Sequence, residues 1–165
     1  GALAPAFGVD VKPLSFSRDV LEFLRLLAEH HVRYVVIGGT AVIYHGHARL
    51  TGDVDFLYEP SAENVARLWA ALVAFWGGAV PGLSQPGELQ DPEVIVQFGR
   101  PPNRIDLIGG LRTVAFEQAW AHRVHESVEV DGKPVPVWLL GLEELKRSKR
   151  EAGRPKDLED LRHLP

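Results

Sequence analysis

At 165 residues, with 45% hydrophobic content and four tryptophans, the chain is long enough to bury one sizeable core and too short for two ordinary domains. It has no cysteine, which excludes disulfides and thiol chemistry, and its net charge of −4 argues against a protein that coats nucleic acid. No apolar run approaches a membrane span and the N-terminal residues carry no secretory pattern, so no membrane partner is expected and the cytoplasm is the default compartment.

Residues 1–15 read as an irregular extension, and the complete absence of Met points to a processed start at Gly1 with numbering offset from the native gene. Ser17 is an N-cap for a helix to about His30, with Val20, Leu24 and Leu27 on one face and Phe23 and Leu26 beside it. Arg33 to Ile37 is a strand by its β-branched and aromatic content, followed by a Gly38-Gly39-Thr40 turn and a short helix from Ala41 to His45 that stops at Gly46. Thr51 to Tyr58 is a second strand. Pro60-Ser61 opens a long helix in which Val65, Leu68, Trp69, Leu72, Val73 and Trp76 recur at helical spacing until Gly77-Gly78, a stripe that reads as core rather than as a base-stacking surface. A loop rich in Gly and Pro spans 80–92. Val94 to Phe98 and Arg104 to Ile108 are partner strands around a Pro101-Pro102 turn, and Arg123 to Val130 pairs with Val135 to Leu140 across Asp131-Gly132. Helices from Leu142 to Ala152 and from Pro155 to His163 close the chain, broken at Gly153. The pattern predicts one α/β (α+β) domain over 1–165, a mixed sheet flanked by helices.

The chemistry starts with Asp53 and Asp55. On a strand, residues two apart share a face and lie roughly 6 to 7 Å apart, so two acidic heads converge while Val54 and Phe56 face the core. Asp106 likewise interrupts an apolar strand. Three carboxylates meeting on one sheet face repel one another unless a divalent ion neutralises them, and hard oxygen ligands suit Mg²⁺ or Mn²⁺. The plainer reading is that these aspartates cap turns, with Gly52 as the turn signal. Gly38-Gly39-Thr40 between a strand and a helix suits a phosphate: glycines permit close backbone approach, first-turn N–H groups are free, and Thr40 offers a hydroxyl. It matches neither common glycine-loop pattern for nucleotides. His45 and His47 are spaced like strand ligands but flank Gly46 after a helix, and His122 and His125 are expected on or near an exposed hairpin. The run Lys146, Arg147, Lys149, Arg150, Arg154 and Lys156, with only Glu151 against it, is either a solvated helix face or the cationic wall of a phosphate site, with Lys156 contributing far less than Lys149.

Glycine turn, Asp-x-Asp and a later strand aspartate stand in the order of the nucleotidyltransferase superfold. The blocks Arg33-Tyr34-Val35-Val36-Ile37-Gly38-Gly39-Thr40-Ala41, Arg49-Leu50-Thr51-Gly52-Asp53-Val54-Asp55, Asn103-Arg104-Ile105-Asp106-Leu107 and Lys149 to Leu158 together resemble the bacterial AbiEii-like or DUF6036-type nucleotidyltransferases, within the DNA polymerase β-like superfamily. The resemblance runs from about Ser17 to Leu164. It implies two-metal transfer of a nucleoside monophosphate from an NTP to an acceptor hydroxyl, with Asp53, Asp55 and Asp106 as catalytic metal ligands. Gly38, Gly39, Thr40, Arg49 and Lys149 would bind the phosphates. The acceptor stays open among small molecules, tRNA and proteins. So do two alternatives: a toxin acting on tRNA beside an antitoxin protein partner, and a catalytically idle nucleotide-binding or partner-binding module.

Overall fold

The computed structural model describes residues 14–101 and 103–165, so most of the expected N-terminal extension and Pro102 of the expected turn lie outside the described residues. In chain order the elements are α1 (Arg18–Glu29), β1 (Tyr34–Ile37), α2 (Gly38–Tyr44), β2 (Asp53–Tyr58), α3 (Ala62–Trp76), a 3-10 turn (Pro86–Gln90), β3 (Ile95–Phe98), β4 (Arg104–Ile108), α4 (Phe116–Ala121), β5 (Val124–Val130), β6 (Lys133–Leu139), α5 (Leu142–Ala152) and α6 (Pro155–His163). The strands form one six-stranded sheet in the order β3-β4-β2-β1-β6-β5. β1 pairs antiparallel with β2 and parallel with β6, while β4 runs parallel to β2 and antiparallel to β3. The mixed sheet flanked by helices expected from the sequence is thus present.

Side-chain alternation divides the sheet between two cores. Tyr34, Val36, Val54, Phe56 and Tyr58 face the larger one, against Phe23, Leu24 and Leu27 of α1 and Val65, Leu68 and Leu72 of α3. Val35, Ile37 and Leu57 face a smaller one, built with Ala41 and Val42 of α2, Ala119 of α4 and Leu145 of α5. All four residues of β1 are therefore buried, as a central strand covered on both faces requires. The helices start where their caps dictate: the Ser17 and Ser61 hydroxyls accept the N–H groups of Val20 and Asn64. Gly77 and Gly153 end α3 and α5 in the left-handed region.

Several boundaries differ from the sequence expectation. The glycines are drawn into the first turn of α2, which begins at Gly38 rather than Ala41. β2 begins at Asp53, because Thr51 Oγ1 turns back to donate to the Asp53 carbonyl at 3.2 Å and its carboxylate at 3.1 Å. Trp76 is not fully core. It is 38% exposed at the end of α3, tilted against Phe98 at 5.5 Å, whereas Trp69 packs on the larger core. His122 and His125 do lie near and on the β5–β6 hairpin; His122 ends the short helix α4 two residues before β5, where its Nδ1 lies 2.6 Å from the buried Glu144 carboxylate.

Candidate active site

β2 and β4 run parallel in a register that sets Asp55 beside Asp106 and Asp53 beside Arg104. All four side chains consequently stand on one face, at the starts of two adjacent strands. Two residues further along that face, Leu57 pairs with Ile108 in the smaller core. The face thus changes from charged to apolar within one strand, where helical cover begins.

One oxygen from each of Asp53, Asp55 and Asp106 lies within 4.8 Å of the others, the only such group of three or more acidic or histidine residues among the described residues. Their environments are unequal. Arg104 Nη2 donates to Asp53 Oδ2 at 2.6 Å, and its Nε and Nη2 donate to the two oxygens of Asp106 at 3.0 and 3.2 Å. Gln97 on β3 adds a 3.3 Å bond to Asp106. Burial works to raise the Asp53 carboxyl, but hydrogen bonds from Arg104 and Thr51 outweigh it and hold the group below its ordinary value. Burial first, and then the charges of Asp53 and Asp106, push Asp55 up to about 7. Its Oδ1 is buried without a hydrogen-bond partner. Three converging carboxylates, one of which has a buried oxygen without a hydrogen-bond partner, fit a divalent cation.

The glycine turn abuts this cluster. Gly38 has φ of +68°, and a methyl group there would collide with Asp55 Oδ2, so the position demands glycine for its backbone and for the approach of the carboxylate. A Cβ on Gly39 would come within 2.7 Å of Thr51 Oγ1. Thr40 is buried beside the turn, and it is Thr51 whose side chain reaches the cleft.

Cations from the loop before β2 and from the other end of the chain line the same cleft. A cleft of about 270 Å³ is lined by Gly38, Gly39, Arg49, Thr51, Asp53, Asp55, Arg104, Asp106, Lys149, Arg154 and Lys156. Arg49 is held in a two-point grip by Asp160, at 2.9 and 3.1 Å. Lys149 Nζ lies 3.2 Å from Asp157 and 3.0 Å from Asp160, both buried. Arg154 donates to Asp157 at 2.6 and 3.1 Å. Lys156, expected as the lesser contributor, lines the cleft and forms no ion pair among the described residues. The two spaced histidines part company: His45 Nε2 meets the Leu140 carbonyl at 2.8 Å, while His47 stacks on His163 at 4.1 Å.

Sequence reading missed Arg104, Asp157 and Asp160. Asp157 and Asp160 share one face of α6 and follow the basic run, which was the available signal. Arg104 had only its place two residues before Asp106. No helix among the described residues is long and apolar enough to cross a membrane. No curated protein matches the sequence. A family model, described as a nucleotidyltransferase of unknown function, matches residues 18–164, and the chain belongs to that family, DUF6036.

Proposed function

We propose that the protein moves a nucleoside monophosphate from a nucleoside triphosphate to an acceptor hydroxyl, releasing pyrophosphate. The observation that carries this reading is one cleft lined both by three convergent carboxylates and by Arg49, Lys149, Arg154 and Lys156. Asp53, Asp55 and Asp106 would hold Mg²⁺ or Mn²⁺, one or two ions. Such ions, when bound, neutralise phosphate charge and lower the pKa of the attacking hydroxyl. Lys156 meets the triphosphate as a cation with no ion pair among the described residues, and Arg49 is aimed by Asp160. Gly38 and Gly39 let the turn close against Asp55 and Thr51, which keeps the cluster compact beside the cleft.

The test supplies each labelled NTP, ATP first, with Mg²⁺ and a fractionated cell extract, and follows label and pyrophosphate. Label entering one fraction with stoichiometric pyrophosphate, absent with Asp55→Asn, supports the reading. No NTP giving either product above the Asp55→Asn control sinks it. Label in tRNA would identify the AbiEii-like, toxin-type activity, for which an adjacent antitoxin reading frame is the genetic correlate. Label in a small-molecule or protein fraction would identify a modifying enzyme. NTP binding without transfer would leave the idle binding module.

A further inference from the structure

Arg104 occupies the middle of the carboxylate cluster. The β2–β4 register places it beside Asp53, and its position on β4 places it on the same face as Asp106. Its guanidinium spans both, at 2.6 Å to Asp53 and at 3.0 and 3.2 Å to Asp106. Two of the three groups that would bind a divalent ion are thus already bound to a cation that belongs to the chain. Asp55 receives nothing from Arg104, and its Oδ1 stays unpartnered. The Arg104 side chain is 29% exposed, so solvent reaches it, and it belongs to neither apolar core.

We propose that Arg104 is the resident counter-ion of the site: it neutralises Asp53 and Asp106 in the ion-free protein, releases both on divalent-cation binding, and then turns to the phosphates of the nucleotide. This rests on reading the three carboxylates as metal ligands. A guanidinium held against two of the three carboxylates repels an incoming divalent cation and competes with it for their lone pairs, so Arg104 weakens metal binding by itself. The triphosphate restores an anionic partner to the freed guanidinium. Metal and nucleotide therefore each raise the affinity for the other, by reciprocal linkage. The site stays closed to free divalent ions at low concentration and opens to the metal–nucleotide pair.

The test is calorimetric titration of the full chain with Mn²⁺, with and without a non-hydrolysable ATP analogue, for the wild type, Arg104→Ala and Arg104→Lys. Without nucleotide, Arg104→Ala should bind Mn²⁺ about tenfold more tightly than the wild type, and the gain in Mn²⁺ affinity brought by the analogue should shrink. Arg104→Lys, which keeps the charge but loses the fork, should fall between them. In EDTA, Arg104→Ala should melt below the wild type, and saturating Mn²⁺ should close the gap. If Arg104→Ala fails to fold, Arg104→Lys against the wild type decides the question by the same criterion. Mn²⁺ binding that is unchanged or weaker in the variants overturns the counter-ion role and leaves the metal site standing. Absence of Mn²⁺ binding in the wild type and both variants overturns both.

Discussion

Lys149 and Asp160 form a 3.0 Å ion pair buried between α5 and α6, and the same aspartate grips Arg49 on the loop before β2. Lys149 therefore ties the two C-terminal helices to the cleft wall. Lys149→Ala would leave Asp157 and Asp160 short of a cation inside the protein, and removing one partner of a buried pair costs about 3–5 kcal/mol. Urea unfolding should show that loss. Any weakening of nucleotide binding should accompany a displaced Arg49, and so should appear in Asp160→Asn as well.

Lys156 supplies the contrast. It has no ion pair to lose among the described residues, so Lys156→Ala should change stability by no more than about 0.5 kcal/mol. Its loss should weaken NTP binding by about 1.5–3 kcal/mol, the range for hydrogen bonds to charged groups, with the effect shrinking as salt rises. Titration of ATP at two ionic strengths would show this. Unchanged affinity would remove Lys156 from the phosphate wall.

Gly38 is constrained twice, by its positive φ and by Asp55. Gly38→Ala should destabilise the fold by more than about 1 kcal/mol and displace the Asp55 carboxylate. Mn²⁺ affinity should fall with it. Gly46, where a Cβ meets nothing within 4 Å, gives the control: Gly46→Ala carries the strain of a positive φ without the collision, and should leave Mn²⁺ affinity alone.

Asp55 makes the ion-free protein sensitive to pH. Burial and two neighbouring carboxylates raise its folded-state pKa to about 7, so the folded chain holds this proton more tightly than the unfolded chain does. The resulting stabilisation is full below the unfolded value of about 4 and is lost as pH rises to about 7, beyond which it is flat. Thermal melts in EDTA should trace that decline, and Asp55→Asn should flatten it. At pH 8 in EDTA, Asp55→Asn should melt above the wild type. Asp53→Asn, which strips a carboxylate from Arg104, should melt below it.

Much of the scaffold was legible because its signals are local. β4, α5 and α6 lie where apolar runs, Gly153 and Pro155 put them. α4 escaped notice because its six residues have no side-chain cap and are too short to show a period. The 3-10 turn at Pro86–Gln90 sits inside a stretch whose Gly and Pro content reads as loop.

The carboxylates were legible because charge inside an apolar strand is costly and conspicuous. Arg104 was not, since its partnership with Asp53 depends on the β2–β4 register, which joins residues about fifty positions apart in sequence and has no local signature. α6 misled for a different reason. Its polarity is partly inverted, with Asp157 and Asp160 buried while Leu158 is 48% exposed. Helical periodicity alone assigns those aspartates to water, and only the cations of α5 and the loop reverse that assignment.

The segments that line the cleft are also made at different times. Gly38 through Asp106 emerge early from the ribosome and already contain the carboxylates together with Arg104 to neutralise them. Lys149, Arg154 and Lys156 follow much later, and Asp160, which aims Arg49, lies within the final helix. A nascent chain halted before Asp160 contains the three carboxylates and Arg104 but lacks the aspartate that grips Arg49. Synthesis of α6 is thus the event that supplies the partner of Arg49.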